Sequence, residues 1–366
     1  MKTMTITYHA SNNNGSFLQA YALQQTLMNQ LEVDNQIIDF RGKELLDNYK
    51  LFRTFNSPKN LFKNAYTVLH LHDLKVREAR FETLRERYLS MTERVQDVNE
   101  LEAFKTQCDL FIAGSDQIWN TTAPDFNIAF FLPGIKNKIA YGISLGSYSD
   151  KTSLSGYVPY INEFSALSTR EVQGKERLEE MRNGSVDLVV DPTLLLSRDD
   201  YSVLEQETSI PRGKYIFYYS MKYTKFSLEQ VAKQSKQLGI PVVTVFTNYH
   251  TCCCIPYGMK IQYDAGPAEF LSLISNAELV ASDSFHGIVF SVIYHKKFVY
   301  VGDTMKSDDR IDCLLRQLGL YAYATVPRSF HLQDDNLVDW NLVDEKLQEL
   351  KLHSLNYLEN IRMNIN

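Results

Sequence analysis

Short apolar segments alternate with amphipathic segments along most of the chain, and this alternation constrains the fold more than any other feature. The segment "MTITY" is typical of a buried strand, and residues 15–30 behind it carry apolar side chains near helical spacing. "FSALS" and "ELVAS" are likewise each followed by a helical pattern. Strands and helices that alternate in this way are typical of parallel α/β domains, so we predict that class.

The alternation occurs in two series, which indicates two domains. The first series ends before a polar stretch, residues 197–214, and the second begins at "KYIFYYS". A chain of 366 residues is also longer than one hydrophobic core usually serves. We predict two Rossmann-like domains, 1–205 and 206–366, the first with a helical insertion at about 58–107 and the second with a closing C-terminal helix.

Composition excludes several classes of function. The chain has 38 Lys and Arg against 44 Asp and Glu, so no overall basic field favours nucleic acid or an anionic membrane. Its five cysteines form no CxxC pair, and no His pair lies near "TCCC", so we expect free thiols and no metal. The first residues lack the apolar core of a signal peptide, and no apolar run approaches the roughly 20 residues of a membrane span. We therefore expect a cytoplasmic protein.

Polar clusters fall at several predicted strand-to-helix junctions. They are "NNNG" (12–15), "GSDQIW" (114–119), "STRE" (168–171) and "SDSFHG" (282–287), and Arg310 opens a later predicted helix. Parallel sheets bind ligands beyond the carboxyl ends of their strands, and two consecutive domains of this type imply a cleft. Helix capping is the alternative interpretation of each cluster, because Ser, Asp and Asn are preferred N-caps. Four such clusters together favour a binding site.

Common catalytic and nucleotide-binding motifs are missing from the sequence. It contains no GxxxxGK[ST], no GxGxxG after a predicted strand, no GxSxG and no HExxH. Ser284 and His286 are too close along the chain for spacing alone to indicate a nucleophile and its base.

A set of segments in order along the chain nevertheless resembles the polysaccharide pyruvyl transferase family. These are "NNNGSFLQAYALQ", "DLFIAGSDQIWN", "STREVQG", "VDPTLLL", "GPAEFLSLISNAELVASDSFHGIVFS" and "DRIDCLLRQLGL", within about residues 5–320. The resemblance implies a two-domain fold similar to GT-B glycosyltransferases. It also implies transfer of pyruvate from phosphoenolpyruvate to a sugar of a cell-surface polysaccharide or its lipid-linked precursor, with a cyclic ketal formed and phosphate released. Phosphoenolpyruvate would be a co-substrate with no further cofactor, and peripheral association with the inner face of the membrane would fit a lipid-linked acceptor.

The resemblance also suggests site residues. His286 matches the histidine of the donor site and would act as general acid, since His exchanges protons near neutral pH. Arg170 and Arg310 match characteristic positions and would grip the donor's phosphate and carboxylate. Ser282 and Ser284 would cap the following helix and donate to the donor.

The N-terminal domain would bind the acceptor. The general base is left open between Asp116 and Glu171, and Asp116 as an N-cap is the alternative. Trp119 would stack on a sugar or pack beneath its loop. The candidate acceptor or cleft residues are Asn14, Gly15, Gln19, Ser115, Gln117 and Trp119.

The chain departs from the family pattern in two places. Many relatives have Arg-Leu before the His-Gly pair, where this chain has Ser284 and Phe285, so Arg310 or Arg170 would have to supply the missing charge. Many also have an acidic residue after the first glycine, where this chain has Ser16. Two alternatives therefore stay open: a GT-B glycosyltransferase that uses a nucleotide sugar, and a non-catalytic relative that binds glycan.

Overall fold

The computed structural model describes residues 1–146, 154–182, 184–205, 211–302, 309–321 and 338–365. The chain divides into two compact units. Unit 1 comprises Met1–Lys50, Thr83–Leu196 and Leu347–Asn366, and unit 2 comprises Leu51–Glu82 and Ser197–Lys346.

Unit 1 is built on a parallel sheet of six strands in the order β2-β1-β3-β4-β5-β6. The strands are β1 (Lys2–Ile6), β2 (Asp34–Ile37), β3 (Leu110–Ala113), β4 (Lys138–Ile143), β5 (Ala166–Thr169) and β6 (Asp187–Leu188). The helices that begin in the chain segments of this unit are α1 (Asn14–Gln25, continued by a π-helical turn, Thr26–Gln30), α2 (Lys43–Tyr49), α5 (Val158–Ile161) and α6 (Val172–Met181), with 3-10 helices at Val98–Phe104, Ile128–Phe131 and Pro192–Leu194.

Unit 2 is built on a parallel sheet of five strands in the order β11-β10-β7-β8-β9. The strands are β7 (Ile216–Tyr219), β8 (Val242–Val245), β9 (Lys260–Gln262), β10 (Leu279–Ser282) and β11 (Phe298–Tyr300). The helices that begin in its chain segments are α3 (Pro58–Leu69), α4 (Leu71–Tyr88), α7 (Arg198–Ser202), α8 (Lys225–Leu238), α9 (Pro267–Ser275), α10 (Phe285–Ile293), α11 (Asp309–Gln317) and α12 (Trp340–Ile365), with a 3-10 helix at Tyr249–Tyr257.

The central strands of the first sheet are buried because helices cover parallel sheets on both faces. All four residues of β3 and all six of β4 are buried. Gly114 directly follows β3 with a φ of +136°, and a Cβ there would lie 2.1 Å from the carbonyl oxygen of Tyr141. Only glycine fits this close approach, after which Asp116 forms an isolated parallel bridge with Ile143 of β4.

The predicted fold class is confirmed, since two parallel sheets with flanking helices form two Rossmann-like units. The predicted boundary divides the chain once, at residues 205 and 206, whereas each observed unit also contains a segment from the other side of this boundary. Residues 206–210 lie outside the described residues. Residues 51–82 belong to unit 2 and residues 347–366 to unit 1.

Long-range contacts explain why residues 51–82 belong to unit 2 and residues 347–366 to unit 1. Tyr357 of α12 donates to the carbonyl oxygen of Ala140 at 2.9 Å, and Ser354 accepts from the amide of Val190 at 3.0 Å, so α12 ends on the first sheet. Tyr66 of α3 packs with Phe246 behind β8. Such contacts leave no periodic signal in the sequence. Among the described residues, no helix is long and apolar enough to cross a membrane.

Candidate functional site

Both sheets contain a point at which the strand order reverses, and polar residues gather at both points. In unit 1 the reversal lies between β1 and β3, and in unit 2 it lies between β7 and β10. Ligands of open parallel sheets bind beyond the carboxyl ends of the strands at such a switch point. The predicted clusters "NNNG" and "GSDQIW" follow β1 and β3, and "SDSFHG" follows β10. The topology therefore brings three of the four predicted clusters to switch points.

A buried charge cluster lies at the switch point of unit 1. One Asp116 oxygen accepts from the hydroxyl of Ser16 at 2.6 Å, and the other accepts from the guanidinium of Arg170 at 3.1 Å. Arg170 also forms an ion pair with Asp191, which in turn accepts from the amide of Thr193 at 2.9 Å. Arg170 follows β5 and Asp191 follows β6, so the cluster ties the ends of three strands together. Two carboxylates surround this one cation.

A further carboxyl, Asp125, and the phenol of Tyr8 share this end of unit 1. Burial raises the pKa of Asp125, and the nearby charge of Asp116 raises it further. Burial, Asp125 and Asp116 raise the pKa of Tyr8 well above its usual value. The side chain of Asn48 donates to Asp125 at 3.2 Å. Sequence reasoning missed both residues: the position of Tyr8 after β1 could have indicated it, whereas Asp125 lies in a loop without a motif.

Glu171, the other candidate base, is buried at the start of α6. One of its oxygens accepts from the amide of Leu145 at 3.0 Å, which holds the segment after β4. This contact gives Glu171 a structural role in addition to its candidate role.

The candidate acceptor residues at α1 divide into a cap and a buried network. Asn13 is the N-cap and accepts from the amide of Gly15 at 2.9 Å, so capping accounts for part of "NNNG". The amide of Ser115 donates to Gln19 at 3.1 Å, and both residues are fully buried. The Gln19 side chain thus joins α1 to the backbone at the end of β3, which is a structural role. The side-chain oxygen of Asn14 is buried and has no hydrogen-bond partner within the described part of the chain.

Trp119 belongs to the core of unit 1. Its indole N–H donates to the carbonyl oxygen of Phe130 at 3.2 Å, and its ring stacks on Phe131 with centroids 4.8 Å apart. The residue is fully buried, so no face of the ring is available to a sugar. Packing, rather than stacking on a ligand, is its role in this structure. Gln117 is half-buried and accepts from the side chain of Asn120 at 3.1 Å.

In unit 2, the two serines of "SDSFHG" are placed differently from the prediction. The Ser282 hydroxyl donates to the carbonyl oxygen of Tyr219 at 2.6 Å and accepts from the amide of Ser284 at 3.0 Å. A Cβ at Gly287 would lie 2.2 Å from this hydroxyl oxygen, so glycine lets α10 approach the strand closely. Ser284 is the N-cap residue, but its side chain forms no capping hydrogen bond. The prediction that both serines cap α10 is therefore wrong.

His286 and Arg310 both lie beside one aromatic ring, that of Phe285. His286 is in the first turn of α10 and is 8% exposed, and its ring centroid is 5.3 Å from that of Phe285. The guanidinium carbon of Arg310, at the start of α11, lies 5.5 Å from the same Phe285 centroid. Two of the predicted donor residues are thus brought together at the N-terminus of α10.

Asp283 is a residue of this junction that sequence reasoning did not assign. Its carboxylate accepts from the hydroxyl of Ser220 at 2.8 Å and from the amide of Met221 at 3.1 Å. These bonds join the ends of β7 and β10, the two strands at the switch point. Burial raises the pKa of Asp283. Across the described residues, no group of three or more His, Cys, Asp or Glu side chains is arranged to hold a metal ion.

The fold and the two switch-point sites define an α/β protein of GT-B type. A model of the polysaccharide pyruvyl transferase family matches residues 13–303, which is most of the chain. The chain belongs to this family, as the sequence resemblance predicted. No curated protein matches the chain in sequence.

Three solved proteins illustrate the shared fold. The Staphylococcus aureus protein MnaA, solved with UDP, is 10% identical with a TM-score of 0.54, and the match covers 97% of this chain and 90% of that one. The UDP-GlcNAc 2-epimerase of Methanocaldococcus jannaschii is 14% identical with a TM-score of 0.51, covering 97% and 93%. HepE from Anabaena, solved with UDP and glucose, is 11% identical with a TM-score of 0.50, covering 98% and 97%. At these identities the likeness concerns the fold alone.

Proposed function

We propose that this protein transfers pyruvate from phosphoenolpyruvate to two hydroxyls of a saccharide, forming a cyclic ketal and releasing phosphate. Family membership gives the reaction class. The observation that carries the proposal is the junction in unit 2, where His286 and Arg310 both lie beside Phe285 at the N-terminus of α10. These groups suit a small molecule that carries a carboxylate and a phosphate, because a guanidinium binds either group and a helix N-terminus favours negative charge.

The proposed chemistry begins with a proton. His286 protonates the methylene carbon of phosphoenolpyruvate, which becomes a methyl group, and positive charge develops at the adjacent carbon. The first sugar hydroxyl attacks that carbon and loses its proton to a base. The carbon–oxygen bond to phosphate then breaks, and the departing phosphate takes the proton that the base accepted. The second hydroxyl attacks, and its proton returns to His286 as the ring closes. The products are the ketal and inorganic phosphate.

We assign the acceptor to unit 1, where Asp125 suits the base better than Asp116. Both oxygens of Asp116 are occupied, one by Ser16 and one by Arg170. A carboxyl with a raised pKa is the stronger base, and Asp125 has this property. In the proposal, Asp116 positions neighbouring groups, and the buried oxygen of Asn14 accepts from an acceptor hydroxyl.

The test is phosphate release from phosphoenolpyruvate with and without a panel of free and lipid-linked oligosaccharides. Acceptor-dependent release, together with a mass gain on the acceptor that equals one ketal-linked pyruvate, is the expected result. Because similar folds have been solved with UDP, parallel thermal-shift titrations with UDP-sugars distinguish the glycosyltransferase alternative. A thermal shift with a UDP-sugar and none with phosphoenolpyruvate would overturn the proposal.

A further inference from the structure

Helix α3 presents an apolar face to solvent, the reverse of an ordinary surface helix. At about 100° per residue, the exposed residues of α3 that are apolar fall on one face about 120° wide. They are Pro58, Leu61, Phe62, Ala65, Val68 and Leu69. Their exposure is large: Leu61 is 60% exposed, Phe62 58%, and Leu69 79%. Contiguous exposed apolar surface of this kind marks an interaction site.

The polar side of α3 is used inside unit 2. Asn64 accepts from the amide of Arg53 at 2.7 Å and donates to its carbonyl oxygen at 2.8 Å. Thr67 donates to the carbonyl oxygen of Leu51 at 3.1 Å. These bonds hold residues 51–56 against the helix. The same loop carries two more exposed rings, Phe52 at 46% and Phe55 at 79% exposure.

The helix is fixed in this orientation by the aromatic cluster beneath it. Tyr66 is buried against Leu74 and Phe246, and its hydroxyl lies 2.8 Å from that of Tyr263. Rotation of α3 to bury its apolar face would break these contacts and the bonds of Asn64. The packing of Tyr66 and the hydrogen bonds of Asn64 therefore keep the apolar face of α3 directed towards solvent.

Positive charge accompanies the apolar face. Residues 51–72 contain Arg53, Lys59 and Lys63 and no Asp or Glu, in a chain whose net charge is −6. Burial, Arg53 and Lys59 lower the pKa of Lys63, so the three cations lie near one another. An apolar face with adjacent cations complements a surface that has an apolar interior beneath a layer of anionic groups.

We propose that α3 and the loop before it dock on an anionic lipid bilayer, with the helix in the plane of the interface. A helix of 12 residues is too short to span a bilayer, but it can lie within the interface. A symmetric dimer through this face is disfavoured because it would bring the cations of residues 51–72 from both copies into one interface, and this segment contains no Asp or Glu to pair with them. The proposal is independent of the reaction proposed above.

The test is flotation of the full chain with phosphatidylcholine vesicles, with and without phosphatidylglycerol. The wild type should float with the anionic vesicles and much less with the neutral ones. The triple variant Leu61→Ser, Phe62→Ser, Leu69→Ser should lose at least about tenfold in partitioning, because each buried apolar side chain contributes substantially. Its control is Val203→Ser with Leu352→Ser, at positions 58% and 61% exposed elsewhere, which should change nothing.

Charge and oligomeric state complete the test. Lys59→Glu should weaken binding by about tenfold, and added salt should do the same, whereas Lys225→Glu, with the same charge change, should have little effect. Absence of wild-type flotation, equal binding to neutral vesicles, or unchanged binding of the triple variant would overturn the proposal. So would a wild-type dimer that the triple variant converts to monomer without any vesicle binding.

Discussion

The guanidinium of Arg170 lies 3.1 Å from the carboxylate of Asp116, and both side chains are buried. Arg170 also pairs with the buried Asp191, so two negative charges face one positive charge. This arrangement suits an internal support for the ends of three strands. Arg310 differs, because it is half-buried and lies over the ring of Phe285 beside His286.

The two arginines should therefore behave differently when removed. Arg170→Ala should lower the free energy of unfolding by about 3–5 kcal/mol, because it leaves buried carboxylates without their cation. Arg310→Ala should leave stability nearly unchanged and weaken phosphoenolpyruvate binding by about 1.5–3 kcal/mol. Chemical denaturation and calorimetry measure the two effects, and Arg316→Ala, on the same helix as Arg310, is the control. Loss of donor affinity in a fully stable Arg170→Ala variant would instead place Arg170 in the donor site.

The stability of unit 1 should depend on pH through Asp39. Burial alone would raise the pKa of Asp39, but hydrogen bonds from His9 and Arg41 outweigh burial and hold it well below its usual value. A carboxyl whose pKa is lower when folded stabilises the fold above its unfolded pKa, near 4, and loses this contribution as the pH falls. Asp39→Asn should thus lower the free energy of unfolding by about 1.5–3 kcal/mol at pH 7. The difference from wild type should shrink in acid.

Asp47→Asn is the matched control for this measurement. Lys43 and Lys50 lower the pKa of Asp47 to about 2, yet the group is on the surface. Solvent and salt screen such pairs, so the variant should change stability little. An Asp39→Asn variant as stable as Asp47→Asn at pH 7 would contradict the role given to Asp39.

The sequence predicted the bounds of an element most accurately where the residue types at its ends and its apolar periodicity indicated the same range. The apolar periodicity of residues 267–275 predicts a helix, and α9 has this range, since Pro267 suits the first helical position and the periodicity ends at Ser275. The three-residue strand β9 was missed because Lys260–Gln262 is too short to show alternation.

The candidate site was predictable at strand ends and not in loops. His286 and Arg310 were found because each lies at or just inside the start of a helix within a recognisable segment. Asp125 was missed because it becomes significant only when the fold brings its loop near Asp116. The local sequence also does not show which residues are buried: Ser115 and Trp119 belong to the candidate cluster "GSDQIW" and yet are enclosed in the core.

Asp125→Asn should raise stability and lower activity. Burial raises the pKa of Asp125, so the folded state binds its proton more tightly than the unfolded state does. The ionised carboxylate therefore destabilises the fold at neutral pH, a cost that vanishes below its unfolded pKa. Thermal denaturation should show a higher midpoint for Asp125→Asn at pH 7 and no difference in acid. Phosphate release with acceptor should fall about 10²–10⁴-fold if Asp125 is the base.

Asp116→Asn provides a contrast with Asp125→Asn, because it removes a carboxylate charge that forms an ion pair with Arg170. This variant should be less stable than wild type at pH 7, opposite in sign to Asp125→Asn. Full activity in Asp125→Asn with lost activity in a folded Asp116→Asn would return the base to Asp116.

His286 is the residue whose replacement tests the proposed chemistry most directly. His286→Ala and His286→Asn should fold normally and lose turnover by about 10²–10⁴-fold, the range expected when a general acid is removed. His286→Ala should lose less in donor affinity than in turnover, because Arg310 and the helix N-terminus would still hold the anion. Asn retains hydrogen bonding but cannot exchange a proton near neutral pH, so near-normal turnover in His286→Asn would show that the acid lies elsewhere. If circular dichroism shows both variants unfolded, His286 is a structural core residue, since it is 8% exposed and packed beside Phe285.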